Sequence, residues 1–458
     1  MRPTAYPAYK ESGVAWLGEV PEHWEVKRLK TSAAYRVSNV DKLTKEDEFP
    51  VRLCNYTDVY YHDHINPDME LMEATATSEE IQRFGLKVDD IVITKDSEDW
   101  RDIAVPAHVE ATKPNLVCGY HLAIITPSAA LLNGKFLLRS FQSCAINQQF
   151  QIAASGVTRY GLPKSSIGEA VIPIPPLSEQ TRIADFLDRE TGRIDTLVAK
   201  KRALIGLLKE KRSALISRTV TRGLPAEVAH GFGLEPHTRF KDSGIEWLGE
   251  VPEGWEVKRL KYLFRCFGGG TPSKANPAFW EGDIPWVSPK DMSKKTVSDT
   301  EDHISKEAVF ESATRMVSIG ATLVVVRSGI LKHTIPVATN LVPVTINQDM
   351  KALVSTGAVE NSYLSYFIEG HNKSLLDVWS KNSCTVESIE SNCMLDSMLP
   401  VPSLPEQTAI AAFLDRETAR IDRLEEKVEA AIERLREYRT ALITAAVTGK
   451  IDVREEVP

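Results

Sequence analysis

The sequence predicts an α+β fold: two mixed α/β domains joined by two long helices, arranged as a pseudo-twofold internal duplication. Three observations carry this. Ser12 to Lys30, SGVAWLGEVPEHWEVKRLK, returns as Ser243 to Lys261, SGIEWLGEVPEGWEVKRLK, with 16 of 19 positions identical at an offset of 231. Glu179 to Leu197 returns as Glu406 to Leu424, with 15 of 19 identical at an offset of 227. The stretches between these blocks do not resemble each other, so a copied frame surrounds two dissimilar inserts. A repeat of this length exceeds the roughly 20 to 50 residues of solenoid and propeller units, which makes it a duplicated domain.

The expected divisions are a first domain at 1–175, a first helix at 176–222, a linker at 223–239, a second domain at 240–400 and a second helix at 401–458. Proline-rich punctuation, PIPPLSEQ from Pro173 and PVPSLPEQ from Pro400, stops a strand and starts each helix. In the second helix Ile421, Leu424, Val428, Ala431, Leu435, Tyr438, Leu442 and Ala445 alternate three and four apart, which predicts a coiled-coil seam. The first helix keeps Ile194, Leu197, Leu204, Leu208 and Leu215 on that seam but places Lys201, Lys211 and Arg218 among them. Its partner must pair those charges, or the packing face rotates toward Val198, Ile205 and Ile216. A lone amphipathic helix leaves its apolar stripe wet, so the two helices are expected to pack on each other.

The inserts, 31–172 and 262–399, contain short apolar runs that read as strands: Ile91 to Thr94, Leu122 to Thr126, Thr322 to Arg327 and Leu341 to Ile346. Helical stretches such as Glu79 to Gly85 and Ser362 to Gly370 make them mixed α and β. The segment Gly223 to Arg239 has little periodicity and reads as the linker.

Net charge is −8, spread as −5 over 1–175, +5 over 176–222, −5 over 223–400 and −3 over 401–458. Composition therefore gives no positive signal for nucleic acid, although charge gathered on one face would still serve. Cysteines 54, 118, 144, 266, 384 and 393 show no CxxC spacing and are expected to be reduced, mostly buried thiols. Neither a signal peptide nor a membrane-spanning apolar run is present, which predicts a cytoplasmic protein without membrane partners.

The search for catalytic motifs is negative: no phosphate-binding GxxxxGK[ST] loop, no GxSxG elbow, no HExxH and no GxGxxG opening a helix. Asn276-Pro277-Ala278-Phe279 only loosely matches an amino-methyltransferase motif. Gly268-Gly269-Gly270-Thr271 could cradle an anion with backbone N–H groups, or form a loop that closes on a ligand. His62, Asp63 and His64 have metal-type chemistry, but neighbours on a strand face opposite ways, so a solvated loop and no metal site are expected. A duplicated frame with two different inserts suits a protein that reads two things at a fixed distance.

The opening blocks WLGEVPExWEVKRLK, the closing blocks PxPxLxEQxxIAxFLDRETxRID and the terminal TALITAAVTGKID together resemble the specificity subunit of type I restriction-modification enzymes, over the whole chain and in order. The resemblance implies that each insert is a target-recognition domain for one half of a split site in double-stranded DNA. It implies that the helices form an antiparallel coiled coil that sets the gap, and that two modification (methyltransferase) subunits dock on the frame, with restriction and translocase subunits joining. The chemistry, with S-adenosylmethionine, ATP and magnesium, would belong to those partners; no cofactor and no catalytic residue is expected here.

DNA-contact candidates are polar side chains on turns beside short strands, where base edges can be reached. In the first domain these are Asn55, Tyr56, Lys95, Ser97, His121, Thr158, Arg159 and Tyr160. In the second they are Gly270, Thr271, Ser273, Ser288, Lys290, Arg327, Ser328, Asn347, Gln348 and Thr385. Thr158 and Thr385 correspond at the 227 offset, which argues for a phosphate or structural role. Lys201, Arg202, Lys209, Lys211 and Arg212 are the candidates for partner docking, whereas Trp16, Trp24, Trp247 and Trp255 are expected in the core. Two other readings stay open: an autonomous nuclease or DNA methyltransferase, and a protein-binding adaptor with two variable modules.

Overall fold

The computed structural model describes residues 4–381 and 386–454. It divides into two compact units, one of residues up to 201 together with 429 onward, the other of residues 202–428. The long helices Leu177–Arg222 and Leu404–Val447 therefore each contribute half their length to either unit.

In the first unit a five-stranded sheet runs in the order Ala33–Val37, Leu122–Pro127, Ile91–Thr94, Pro106–Val109, His64–Ile65. Its last pair is parallel and the others are antiparallel. The central strand, IVIT, is mainly apolar with every residue buried, as a strand covered on both faces requires. A second sheet orders Leu116–Cys118, Phe49–Cys54, Met72–Ala76.

The second unit repeats this plan strand for strand. Its five-stranded sheet runs Phe264–Gly268, Met350–Ser355, Thr322–Val325, Val337–Asn340, Thr296–Val297, again with only the last pair parallel. Its three-stranded sheet orders Thr345–Ile346, Ile284–Val287, His303–Ile304. The inserts, dissimilar in sequence, are thus two copies of one topology.

The copied blocks close each domain. Glu25–Arg28 pairs with Val171–Ile174, and Glu256–Arg259 pairs with Met398–Val401, in matching register. Trp24 Nε1–H donates to Glu179 Oε1 at 3.0 Å, and Trp255 Nε1–H donates to Glu406 Oε2 at 3.0 Å. Both indoles are buried, at 0% and 2% exposure. A buried carboxylate needs donors, and Tyr6 Oη supplies another to Glu179 at 2.6 Å, where His237 Nε2 stands 2.6 Å from Glu406. The adjacent glutamines bond the proline-rich lead-in: Gln180 Nε2–H donates to Pro175 O and Gln407 Nε2–H to Pro402 O, both at 2.8 Å. The repeated Glu-Gln dipeptide is therefore the clasp between block and helix. Trp16 and Trp247 differ from their expected core placement: Trp16 is exposed, and Trp247 half-buried against Phe367 and His371.

The helices pair antiparallel. Arg439 Nε lies 3.2 Å from Asp195 in the first unit. In the second, Lys209 lies 3.0 Å from Glu425 and Arg212 Nε 2.9 Å from Asp422. Each step along one helix is matched by an equal step back along the other. The seam differs in phase from the sequence expectation. Leu424 and Tyr438 are 43% and 58% exposed, whereas Ile432 and Ala446 are buried and Glu425 and Arg439 half-buried. Counting apolar residues alone missed this because the seam accepts Glu425 and Arg439, whose charges are paired across it. On the first helix Ile194, Val198 and Ile216 are buried and Ile205, Leu208 and Leu215 half-buried, while Leu197 and Leu204 are exposed, so the packing face is rotated toward Val198 and Ile216 but keeps part of the expected seam.

Two further expectations need correcting. The segment 223–239 carries the short helix Ala226–Ala229 and the turn His230–Phe232, and it packs Leu224, Val228 and Phe232 onto the second core because those apolar residues fall four apart. Of Leu341 to Ile346 only Thr345–Ile346 is strand. Pro343 has no N–H to donate, and Asn340 Nδ2–H closes the turn onto Val342 O at 2.7 Å. Cys54 and Cys118 are fully buried and burial pushes both thiols up, Cys144 is exposed, and Cys384 lies outside the described residues.

Candidate nucleic-acid interface

Four of the first domain's candidates meet in one cleft of about 670 Å³: Tyr56, Ser97, His121 and Arg159. Tyr56 opens the short helix Tyr56–Tyr61, whose start is held by the Asn55 N–H donating to Asp58 Oδ2 at 2.7 Å. One helical turn on, Tyr60 stacks on Tyr56 at 5.6 Å, and Tyr61 is exposed beside it. Tyr56 Oη–H donates to Ser97 Oγ at 3.3 Å, and burial raises the phenol pKa.

Ser97 belongs to the short strand Asp96–Ser97, which pairs with Tyr160–Gly161. The turn before it needs glycine at 156, where φ is 150° and a Cβ would lie 1.9 Å from Arg159 O. That turn delivers Arg159, whose Nη2–H donates to His121 Nε2 at 3.0 Å. His121 is thereby fixed as the neutral tautomer with Nδ1–H donating to Asp96 Oδ2 at 2.8 Å. Burial opposes the Asp96 charge, but hydrogen bonds from Lys95 and His121 outweigh it and hold the carboxyl below its ordinary value. Lys42 stands over the Tyr120 ring, which packs on His121 at 3.7 Å. The cleft thus offers aromatic faces, an arginine fork and carboxylates, the groups that contact bases by stacking and edge hydrogen bonds. Asn55 and Lys95 serve the local fold, Tyr160 sits in the strand pair, and Thr158 is exposed at the turn.

The second domain builds the same place from other residues. Arg327 bridges Ser388 as Asp96 pairs with Gly161. Val326 N–H donates to Asp349 O at 2.8 Å where Lys95 N–H donates to His121 O at 2.7 Å. Where one domain has Asp96 and His121, the other therefore has Arg327 and Asp349. Arg327 and Gln348 are exposed, and Thr271 bonds Gln348. Ser328 caps the turn Gly329–Lys332.

Other candidates hold hydrogen bonds or ion pairs within the fold. Ser288 starts the turn Pro289–Asp291 through Asp291, as Asn55 does through Asp58. Asn347 Oδ1 accepts from Asp349 N–H at 3.0 Å. Ser273 Oγ accepts from Ala275 N–H at 3.3 Å. Lys290 is paired with Glu301 and Asp302 at 3.0 and 2.9 Å. The glycine loop is not an open anion cradle: Gly270 N–H donates to Ile346 O at 3.0 Å, and a Cβ at Gly269 would lie 2.0 Å from that oxygen. Thr385 lies outside the described residues. Of the docking candidates, Arg202, Lys209 and Lys211 are exposed and Lys201 half-buried, but Lys209 and Arg212 are already engaged within the chain, Arg212 also with Glu369 at 2.5 Å.

Sequence reading missed Lys42, Tyr60, Tyr61, Tyr120 and Asp349. The four-residue spacing of Tyr56 and Tyr60, with Tyr61 beside it, was a usable signal.

The family model for the type I restriction modification DNA specificity domain matches residues 21–205 and again 252–434. The chain belongs to that family. A type I restriction enzyme specificity subunit of Escherichia coli is 38% identical over 178 residues, covering 39% of this chain and 42% of that protein. Another, from Methanocaldococcus jannaschii, is 31% identical over 182 residues, 39% and 40% of the two chains. The chain thus spans about two fifths of the length of these two relatives. A putative specificity subunit of the same archaeon is 23% identical over 453 residues, 96% of both. Among solved structures, a chain from a study of complex assembly and conformational transition of a type I R-M system superposes with a TM-score of 0.69 at 18% identity, covering 96% of this chain and 99% of that one. The HsdS subunit of Thermoanaerobacter tengcongensis gives 0.52 at 16% identity over 94% and 98%. These likenesses bear on fold, and they agree with two domains and a helical spacer. Among the described residues no helix is long and apolar enough to cross a membrane.

Proposed function

We propose that this chain is the non-catalytic DNA-reading subunit of a type I restriction-modification complex, acting on double-stranded DNA in the cytoplasm. Each domain reads one half of a bipartite site through its cleft, and the paired helices set the gap. Two methyltransferase subunits dock on the frame and restriction subunits join them, the chemistry being theirs.

One observation carries the reading: two copies of a single topology present opposite chemistry at the same place, Asp96 with His121 in one and Arg327 with Asp349 in the other. A catalyst duplicated for turnover would keep its groups, whereas a reader of two different half-sites must change them. Exposed Leu197, Leu204 and Leu207 on the first long helix, and Leu424 and Tyr438 on the second, supply apolar surface for a protein partner. The domain boundaries we assign to reading are 1–175 and 240–400.

The test is to methylate a random DNA library with the chain and its methyltransferase subunits, then sequence the modified sites. A split motif with a fixed gap is expected. Scattered or continuous motifs, or turnover by the isolated chain, would overturn the proposal.

A further inference from the structure

We propose that His64, His108 and Glu110 form a binding site for a divalent metal ion of the zinc class, which clips the edge strand of the first domain to its neighbour. His64 lies on the edge strand His64–Ile65 and pairs in register with His108 across the parallel ladder. Paired residues on adjacent strands project from the same face, about 4.8 Å apart, and the residue two further along returns to that face. That residue is Glu110, whose N–H donates to Ile65 O at 3.0 Å and so extends the ladder. One ligand atom from each of the three side chains lies within 4.8 Å of the others.

The hydrogen-bond arrangement favours a metal. His108 is 2% exposed, and its Nε2 stands 2.9 Å from Asp89 Oδ1. A carboxylate only accepts, so Nε2 is the donor, and in the neutral imidazole that leaves Nδ1 with the lone pair a metal would take. Nδ1 is buried with no hydrogen-bond partner. A carboxylate on the far nitrogen is the arrangement that orients a metal-bound imidazole and raises its basicity. His64 Nδ1, also buried, lies 3.1 Å from Glu110 Oε1 but without hydrogen-bond alignment. Ligands on a tetrahedral zinc with bonds of about 2.0 to 2.1 Å sit roughly 3.3 Å apart, close to that spacing. Two imidazoles and a carboxylate select zinc-class ions over magnesium or calcium, which take oxygen ligands.

The position gives the ion a task. The tyrosine helix Tyr56–Tyr61 ends three residues before His64, and Asp63 between them lies 3.0 Å from Arg439 Nη2 of the same unit. Pinning His64 to His108 fixes the end of the helix that forms one wall of the cleft.

The experiment uses the full-length chain, freed of metal and dialysed against Zn²⁺, with bound metal counted by mass spectrometry. About one more equivalent is expected than in His64→Gln/Glu110→Gln, and Zn²⁺ should raise the melting temperature of the parent chain by about 5 °C, reversed by chelation. Co²⁺ should give the visible absorption of a tetrahedral site in the parent and lose it in the variant. Both replacements are partly exposed and neutral, so the variant should fold, which its unliganded melting temperature checks. Equal metal content in parent and variant, or no thermal shift with Zn²⁺, would overturn the site. The count requires no DNA, so it stands apart from the reading function.

Discussion

Asp96 and Arg327 occupy the same point of the same fold, each bridged to the strand that precedes its closing block, and they carry opposite charge. One backbone plan thus presents different side chains in the two domains, and under the proposed function that difference sets what each one reads.

Replacing Arg327 with Ala should weaken binding to a cognate site by about 1 to 3 kcal/mol and relax selectivity in one half-site only. Asp96→Asn should act on the other half alone. Methylation motifs of the two variants, compared with the parent, provide the check; a change in both halves from either variant would contradict independent reading.

Truncating Glu179 or Glu406 should be costly to the frame. Each is buried and accepts from an indole N–H, so Ala leaves Trp24 or Trp255 without its partner and costs about 3 kcal/mol. Thermal unfolding should show a fall of several degrees for each, with Gln milder than Ala.

Acid should weaken the second unit through His371. Burial lowers this imidazole from 6.5 to about 4, and its Nε2 lies 2.8 Å from Thr221 Oγ1. The unfolded chain takes up a proton below pH 6.5 that the folded chain refuses, so stability is full above 6.5 and declines until about 4. The gap corresponds to about 3 kcal/mol. Melting temperatures of His371→Gln should vary less between pH 7 and pH 5 than those of the parent.

Lengthening both long helices by one heptad keeps the seam in phase and adds about 10 Å. That equals about three base pairs of DNA, and the gap between half-sites should grow by that amount without any change in the bases read. A changed half-site with an unchanged gap would count against the helices as spacer.

The frame was legible because its key residues were copied: Trp24 with Glu179 and Trp255 with Glu406 sit in blocks that match at 16 of 19 and 15 of 19 positions. The shared topology of the inserts was not legible. Leu53 and Trp286 hold equivalent strand positions, as do Val117 and Thr345, and only the pattern of burial and pairing survives. The seam was half legible, since Ile421 and Leu442 obeyed the apolar rule and Arg439 did not. His64 looked solvated because its partner lies across a ladder 44 positions away, beyond any local spacing rule.

The division of each long helix between two units sets an order of events during synthesis. Residues 202–428 are continuous, so that unit has all its parts once residue 428 has been made. The unit begun first must wait for residues 429–447, including the Arg439 that meets Asp195. Such distant contacts form slowly and leave apolar surface open in the meantime. The domain begun first is therefore the later of the two to be finished, and the apolar stripe near Ile194 and Val198 is exposed to chaperones or to misassembly until residues 429–447 have been made.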